Sequence, residues 1–277
     1  MRMNFAGRTL DMAACHVMGV LNVTPDSFSD GGRFNQIDSA LARAREIVAD
    51  GAAFIDVGGE STRPGATPVP LQEELDRVCP VVEAIARELD VVVSVDTSAP
   101  EVMREAVALG AGLINDVRAL QRPGAPEEMG RTDVPVCIMH IQGEPEHMQD
   151  NPSYRNVLQD VSSFLTERLR VVEAAGVRSD RIILDPGFGF GKTVQHNFQL
   201  LSALEQLKQL GHPILAGMSR KSMLGHVTGR DVGERLSASV AAATIAALKG
   251  VSIVRAHDVR ETVDAVKVVA AMEEAGR

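Results

Sequence analysis

The chain has 277 residues, a formal net charge of −9, 45% hydrophobic and 23% charged residues, a balance that excludes a largely disordered protein. The acidic charge and the scarcity of aromatic residues (no Trp, one Tyr, eight Phe) disfavour nucleic acid and anionic membranes as partners. An anionic small molecule must therefore be held by a local basic cluster.

Eight short runs rich in β-forming residues follow one another along the chain. They are residues 16–20, 53–57, 91–95, 113–115, 134–139, 181–184, 213–216 and 252–255. Several are apolar throughout instead of alternating, which predicts strands covered on both faces.

Helical patterns fill the intervals between these runs. They are residues 37–50, 71–89, 100–109, 157–175, 194–210, 233–248 and 259–274, several of them followed by glycine. The fourth interval, around 123–131, is short and poorly patterned. Strand and helix alternate with no adjacent hairpin strands, which predicts parallel pairing through right-handed crossovers. We expect an α/β fold, one (β/α)8 TIM barrel over residues 1–277.

Three features indicate where the protein resides. The three cysteines are widely spaced and odd in number, which predicts packed thiols in a reducing compartment. The N-terminal apolar stretch 12–23 contains Cys15, His16 and Asn22, which argues against a signal peptide. The apolar run around 238–248 is shorter than the ~20 residues of a membrane span. We expect a soluble, cytoplasmic protein.

Polar residues follow nearly every predicted strand. They are Asn22, Thr62, Arg63, Asp96, Asn115, His140, Asp185, Ser219, Arg220, Lys221, Arg255 and His257. Each has an ordinary alternative: Asp96 a helix cap, Asn115 a turn former, Lys221 a solvated surface charge. To explain all of these residues without a shared site, a separate alternative would have to hold at each of eight strand ends. One common site explains them together. In barrels of this type the substrate lies at the carboxyl ends of the strands, where we expect the site.

The stretch Gly191-Lys192-Thr193 ends like a phosphate-binding loop. That motif requires a glycine five positions before Gly191, and Pro186 stands there. The spacing of Gly187, Gly189 and Gly191 does not match a dinucleotide fingerprint either. We interpret these glycines as allowing the backbone to approach a flat ligand closely.

The strand-end residues suit a heterocyclic diphosphate. Carboxylates such as Asp96 and Asp185 accept parallel hydrogen bonds from an aminopyrimidine edge, and Asn115 adds an amide. Arginine and histidine side chains suit phosphate, and Arg255 can also lie over a ring face. Asn22 offers an oxygen to Mg²⁺ when a substrate diphosphate supplies further ligands.

The motifs resemble those of the dihydropteroate synthase family over essentially the whole chain. The matching segments are MGVLNVTPDSFSDGG (18–32), GGESTRPG (58–65), SVDT (94–97), IND (114–116), MH (139–140), DPGFGF (185–190), SRKS (219–222) and RAHD (255–258). The ordered set is specific, whereas any single segment would not be. The resemblance implies condensation of 6-hydroxymethyl-7,8-dihydropterin diphosphate with p-aminobenzoate, with Mg²⁺ as cofactor, in a homodimer.

The resemblance also assigns roles to residues. It implies Asp96, Asp185, Lys221 and Arg255 as catalytic. It implies that the pterin is bound by Asp96, Asn115, Met139, Asp185, Phe190, Leu215, Gly217, Lys221 and Arg255. It implies that diphosphate is bound by Asn22, Thr62, Arg63, Arg255 and His257, with Asn22 as the metal ligand. It implies that p-aminobenzoate, and competing sulfonamides, are bordered by Phe28, Thr62, Pro64, Phe190, Lys221 and Ser222.

The mechanism we expect is dissociative substitution, because the arylamine is already neutral and needs no strong general base. Three alternatives remain open. A pterin-dependent methyl-transfer domain shares the barrel but has no use for the 24–30 loop or the 219–222 segment. A binding-only paralogue would hold pterin without forming pteroate. In an aldolase, Lys221 would form a Schiff base.

Overall fold

The computed structural model describes residues 1–24, 33–61 and 68–276, and within them eight parallel strands close into a barrel. The barrel strands are β3 (His16–Asn22), β4 (Phe54–Gly58), β5 (Val92–Asp96), β6 (Leu113–Asp116), β7 (Val136–Met139), β8 (Ile182–Asp185), β9 (Leu215–Ala216) and β10 (Ile253–Ala256). Two further strands, β1 (Arg2–Phe5) and β2 (Arg8–Asp11), precede them and form a separate sheet. From β3 to β8 each strand pairs with the next, and β10 pairs with both β3 and β9. A parallel bridge between Leu184 and Ile214 closes the ring. The predicted barrel is confirmed.

Helices surround the barrel. They are α1 (Arg33–Ala49), α2 (Leu71–Glu88), α3 (Pro100–Ala108), α4 (Ala125–Gly130), α5 (Val157–Ala174), α6 (Val194–Ala203), α7 (Ser222–Thr228), α8 (Leu236–Leu248) and α9 (Val259–Ala275). The sequence did not predict α7, and it predicted 194–210 as one helix. That segment instead continues after Ala203 as a 3-10 helix, Leu204–Leu210. Leu204 and Leu207 are buried there, and their spacing of three places them on one face of a 3-10 helix.

The strands carry apolar residues on both faces, as predicted. Outward-pointing residues such as Ile55, Val93 and Ile138 belong to the large core beneath the helices. The inward-pointing residues form a second cluster at the amino-terminal end of the barrel. Its members are Met3, Phe5, Met12, Met18, Phe54, Val92, Leu113, Cys137, Ile183, Leu215 and Ile253. Within the described ranges, no helix is both long and apolar enough to span a bilayer.

The expectation of no adjacent hairpin strands is wrong at the N-terminus. β1 and β2 pair antiparallel around a two-residue turn, with Ala6 at φ 51° and Gly7 at φ 94°. Two positive φ values define the turn type whose twist suits a tight hairpin. The Asn4 side chain accepts from the Gly7 backbone N–H at 2.8 Å and helps an alanine to occupy this region. Asn4 and Gly7 are the residues in the sequence that favour a turn here. Ala6 hides the turn because alanine rarely adopts a positive φ.

We expect Phe5→Ala to destabilise the protein by about 3–5 kcal/mol, the usual cost of a large cavity in a core. Phe5 is 2% exposed, and its ring meets that of Phe54 edge-on at 5.1 Å, so the hairpin seals the bottom of the barrel. Urea denaturation followed by circular dichroism measures the change. Val268→Ala, at a side chain that is 68% exposed on α9, is the control and should change stability little. A loss below about 1 kcal/mol for Phe5→Ala would contradict a sealing role.

Candidate functional site

Along the inner face of the barrel, a layer of apolar side chains is followed, two residues further toward the carboxyl ends of the strands, by a layer that is mostly polar. A step of two returns to the same face of a strand. The inward residues Phe54, Val92, Leu113, Ile183, Leu215 and Ile253 are accordingly followed by Asp56, Ser94, Asn115, Asp185, Gly217 and Arg255. This second layer lies at the carboxyl ends of the strands, the face that carries the site in barrels of this type.

Arg255 lies between two buried carboxylates. Its Nε donates to Asp56 Oδ2 at 2.6 Å, and its Nη2 donates to Asp96 Oδ2 at 3.3 Å. Asp56 also accepts from Asn115 Nδ2 at 3.2 Å and from Ser94 Oγ at 2.6 Å. Four strands, β4, β5, β6 and β10, therefore contribute to one hydrogen-bonded cluster. The Asp96 side chain is paired with an arginine, and α3 begins after Ala99 without a side-chain cap, so Asp96 is not a helix cap.

Burial shifts the ionisation of these groups. Burial, together with the negative charge of Asp56, raises the pKa of Asp96 to about 8, although Arg255 opposes the change. Burial also raises the pKa of Asp185, against the opposing charge of Lys221. Burial lowers the pKa of Lys221 to about 8, and the carboxylate of Asp185 opposes that shift. A ligand whose ring N–H groups bind ionised Asp96 must therefore displace a proton near neutral pH.

Lys221 packs against the glycine-rich loop that follows β8. Its ammonium donates to the carbonyl oxygen of Phe188 and lies 4.5 Å from the centre of the Phe190 ring. A Cβ added to Gly189 would stand 2.9 Å from Cδ of Lys221, so the loop backbone and the lysine stem are in close contact. The interpretation of Lys221 as a solvated surface charge is therefore wrong.

The turn before this lysine is strained and held from several sides. Arg220 has a φ of 58°, in the left-handed region that residues with a Cβ rarely adopt. Its Nε donates to Asp258 Oδ2 at 3.0 Å, and its backbone N–H donates to Ser239 Oγ at 2.9 Å. Ser219 Oγ in turn accepts from the His257 backbone N–H at 3.1 Å. These bonds tie the loop after β9 to the end of β10 and fix where the lysine emerges.

Glycine keeps two parts of the site open. Asn22 is in register with Gly58, and a Cβ at Gly58 would lie 3.7 Å from Asn22 Oδ1 and 3.9 Å from Asp96 Oδ2. A Cβ at Gly217 would lie 3.5 Å from the Cβ of Arg255. Asn22 and Asp96 therefore converge on one space, and the lack of a side chain at Gly217 leaves the stem of Arg255 uncovered on that side.

The apolar residues expected at the site lie at different depths. Met139 belongs to a small buried cluster against which Phe190 packs. Leu215 lies one layer deeper, in the inner cluster of the barrel, and can form only the floor of the site. Ser222 is the exposed first residue of α7.

Comparison with known proteins identifies the family. The profile of the pterin binding enzyme family matches residues 18–257. The dihydropteroate synthase of Escherichia coli (strain K12) is 51% identical over 271 residues, 98% of this chain and 96% of that protein. The chain belongs to the dihydropteroate synthase family.

Solved dihydropteroate synthases share this architecture. The Yersinia pestis enzyme, crystallised with a sulfonamide drug, is 50% identical with a TM-score of 0.94, covering 99% of this chain and 100% of that one. The Xanthomonas albilineans enzyme in complex with 7,8-dihydropteroate is 42% identical with a TM-score of 0.88, covering 98% of each chain. Members of the family therefore bind sulfonamides and the pteroate product on this barrel.

Four residues that the dihydropteroate synthase resemblance assigned to the site lie outside the described residues. They are Phe28, Thr62, Arg63 and Pro64. Their assignments to diphosphate and p-aminobenzoate stay predictions.

Sequence reasoning missed Asp56, although Asp56 contacts both Arg255 and Asn115. The available signal was a carboxylate inside the otherwise apolar run Phe54–Gly58, two residues before the strand ends. The prediction covered only residues at or beyond the ends of the predicted strands. An inward residue within the strand also reaches the rim, because the side chains of a strand alternate between its faces.

The expectation that His140 joins the rim is not supported. Met139 is the inward residue of β7, so the next residue turns toward the helices. His140 is 5% exposed, its ring packs edge-on against Phe164 with centroids 4.9 Å apart, and its Nδ1 lies 2.8 Å from Lys192 Nζ. This histidine contacts the outer side of the glycine-rich loop.

Proposed function

We propose that the chain condenses 6-hydroxymethyl-7,8-dihydropterin diphosphate with p-aminobenzoate, forming 7,8-dihydropteroate and releasing diphosphate. The observation that carries this proposal is the cluster of Arg255 with Asp96, Asp56 and Asn115 at one rim, in a member of the dihydropteroate synthase family. Buried carboxylates and an amide match the donor-rich edge of a pterin, and an arginine beside them matches a ring face or a phosphate.

The pterin is assigned to the centre of the barrel mouth. Asp96, Asn115, Asp185 and Lys221 supply polar contacts to its edge, and Arg255 covers its face. Met139, Phe190, Leu215 and Gly217 border the ring. The packing of Phe190 against the cluster of Met139 supports a flat slot on that side, and Leu215 supports a floor beneath it.

Diphosphate and amine are assigned to the outer rim. We place diphosphate near Asn22, Thr62, Arg63, Arg255 and His257, and p-aminobenzoate near Phe28, Thr62, Pro64, Phe190, Lys221 and Ser222. Arg255 and His257 support the first assignment, since both are half-buried at or just after the end of β10, and arginine and histidine are side chains that bind phosphate. The position of Lys221 over Phe190, next to exposed Ser222, supports the second, because the amine must approach from the solvent side.

We propose a dissociative reaction. The bond between the pterin methylene carbon and the diphosphate oxygen breaks first, and the electron pair leaves with diphosphate. The electron-rich ring stabilises the cation, helped by ionised Asp96 and Asp185, while Arg255 offsets the charge that develops on the leaving group. The neutral amine nitrogen then attacks the carbon and loses one proton.

Asn22 fits a single Mg²⁺ ligand. Its amide oxygen faces the space left by Gly58, and the described residues hold no group of three or more His, Cys, Asp or Glu arranged for a metal. Mg²⁺ accepts such a site because it retains waters and takes phosphate oxygens as ligands. The ion would add positive charge beside the diphosphate. Arg255 would add its own positive charge to that of the ion.

Incubating the protein with both substrates and detecting 7,8-dihydropteroate by mass spectrometry tests the assignment. We expect one product per diphosphate released. Binding of the pterin without any product would indicate a binding-only paralogue. A product in which a methyl group has been transferred would indicate the alternative enzyme class.

Pterin binding should release a proton near neutral pH. Asp96 is mostly protonated below its pKa of about 8, and ring N–H donors require its ionised form. The affinity for 6-hydroxymethylpterin should therefore rise between about pH 6 and 7.5, by up to about tenfold per pH unit. Calorimetry in buffers of different ionisation enthalpy measures the proton directly. Asp56→Asn should reduce the release, because it removes the charge that helps to raise the pKa of Asp96. Binding independent of pH and buffer would contradict this linkage.

We infer that the protein forms a homodimer through α8 and neighbouring segments. The thirteen residues of α8 include no charged side chain, and a helix that is apolar on every side needs a covered environment. Leu236, Ile245 and Leu248 of α8 are 39%, 41% and 48% exposed, and Met272 of the adjacent α9 is 55% exposed. A second copy would cover this surface.

Ile245→Glu should shift the protein from dimer to monomer, because it places a charge in the centre of the proposed interface. Light scattering coupled to size-exclusion chromatography measures the mass. Val171→Glu on α5, at a side chain that is 37% exposed away from α8, is the control and should leave the mass unchanged. A wild-type protein that is monomeric at micromolar concentration would refute the dimer.

We also infer a cytoplasmic location. Cys15, Cys79 and Cys137 are free thiols, and burial raises the pKa of Cys15 to about 12, which keeps that thiol protonated. Free thiols are typical of a reducing compartment. Cell fractionation tests the location.

A further inference from the structure

The glycine-rich loop after β8 is held almost entirely by side chains. Each of the five successive carbonyl groups from Gly187 to Gly191 accepts a side-chain hydrogen bond. The donors, in chain order of the carbonyls, are Lys192, Lys221, Gln149, Lys192 and Tyr154. One backbone bond, from the Phe190 N–H to the Gly187 carbonyl oxygen at 3.1 Å, lies within the loop, and the side-chain donors satisfy all five carbonyl groups at one geometry.

Lys192 supplies two of these bonds from inside the loop. Its Nζ donates to the carbonyl oxygens of Gly187 at 2.9 Å and Phe190 at 3.0 Å, and it lies 2.8 Å from His140 Nδ1. Lys192 is 3% exposed, and burial lowers its pKa well below the usual value. Burial and the charge of Lys192 also lower the pKa of His140 to about 3. Nδ1 of His140 is therefore a neutral acceptor. With the Gly187 and Phe190 carbonyls it gives Lys192 Nζ three close partners, and the His140 carbonyl oxygen lies farther away, at 3.4 Å.

The loop has no room to shift outward. A Cβ at Gly187 would lie 1.9 Å from the carbonyl oxygen of His140, and one at Gly191 would lie 2.6 Å from that of Gln142. Both glycines have positive φ, at 69° and 62°. On its other side the loop touches the stem of Lys221 at Gly189. The loop therefore lies between the 140–142 segment on one side and the stem of Lys221 on the other, and Lys192 bonds it to His140 on the first side.

We propose that Lys192 is a positioning residue for the transfer site. It holds the carbonyl of Gly187, immediately before Phe188, and Phe188 presents its own carbonyl to Lys221. It also anchors the backbone of Phe190, whose ring lies beneath the Lys221 ammonium. The inference rests on the proposed function in taking Lys221 and Phe190 as contacts of pterin and p-aminobenzoate. The Gly191-Lys192-Thr193 stretch, whose sequence does not match a phosphate-binding loop, thereby acquires a role.

Asp185 connects the same loop to the ring edge. Its Oδ1 accepts from the Gly187 backbone N–H at 2.7 Å, and the Gly187 carbonyl is one of the two that Lys192 holds. A displaced Gly187 would therefore turn Asp185 as well as Lys221. Loss of Lys192 should weaken pterin binding in addition to slowing transfer.

A matched control lies at the other end of the same strand. Arg181 is 4% exposed, precedes β8, and its Nη1 donates to the carbonyl oxygens of Thr132 and Val134. Like Lys192, Arg181 is a buried cation that satisfies two backbone carbonyls. Its position at the amino end of the barrel places it away from the rim. Lys192→Met and Arg181→Met should both lower the melting temperature.

The two variants should differ at the site. We expect Lys192→Met to lower kcat/KM for p-aminobenzoate at least tenfold and to weaken 6-hydroxymethylpterin binding at least tenfold by calorimetry. Arg181→Met, assayed as folded protein, should keep wild-type values in both measurements. Lys192→Gln, which retains an amide donor, should lie between wild type and Lys192→Met, and it replaces Lys192→Met if that variant does not fold.

Equal kinetic and binding constants for the folded Lys192 variants and Arg181→Met would overturn the proposal. A wild-type protein without transferase activity would overturn the proposed function instead. The calorimetric comparison would then still decide whether Lys192 positions the pterin contacts.

Discussion

Lys221→Ala is expected to reduce kcat/KM by roughly a hundredfold or more, because a charged donor in a half-buried site contributes about 3 kcal/mol. The substitution removes the ammonium that lies over Phe190 and bonds to Phe188, and with it the group that balances the buried charge of Asp185. Steady-state assays of diphosphate release with both substrates measure the loss.

The control for this variant is Lys267→Ala, at an exposed lysine on α9 that should leave turnover unchanged. Circular dichroism should show that both variants are folded. If folded Lys221→Ala turns over at a near-normal rate, the lysine has no role in transfer. The pterin would then have to be held by the carboxylates alone.

Asp185→Asn is expected to weaken pterin binding by about 2 kcal/mol or more, roughly thirtyfold. The amide oxygen can still accept from the Gly187 N–H, so the loop after β8 should keep its shape. The second carboxylate oxygen becomes an NH₂ group. This group faces the N–H donors of the ring, so the NH₂ group and the ring N–H groups are all left without an acceptor. Calorimetry with 6-hydroxymethylpterin measures the difference.

Asp180→Asn serves as control, since Asp180 pairs with Arg178 on the exposed surface before β8. Its pterin affinity should equal that of the wild type. An unchanged affinity for Asp185→Asn would show that Asp185 supports only the loop and does not contact the ring.

The barrel could be predicted from the sequence because its physical causes are local. Runs such as 91–95 are apolar on both faces, and the polar residue that ends each strand marks the barrel rim. The N-terminal hairpin could not be predicted in the same way. Its turn places Ala6 in the left-handed region, where alanine is rare, and the stabilising contact of Phe5 with Phe54 is distant in sequence.

Parts of the site depend on contacts between residues that are far apart in the sequence, and these contacts cannot be predicted from local patterns. Asp96, Asn115 and Arg255 were predicted because they end or follow strands, but the group that joins Arg255 and Asn115 is Asp56. In the sequence, Lys192 is distinguished only by a stretch that ends like a phosphate-binding loop without matching one. Its burial and its bonds to two loop carbonyls follow from how the loop folds back over the end of β7.

The proposed reaction requires one site that releases diphosphate from the pterin substrate and then receives the amine. Diphosphate release, measured with and without p-aminobenzoate from substrate labelled with ¹⁸O in the bridging position, tests it. We predict stoichiometric release with the amine, and scrambling of the label in recovered substrate without it, because carbon–oxygen cleavage comes first. No release with both substrates present would contradict the function, and no scrambling without the amine would contradict the dissociative mechanism.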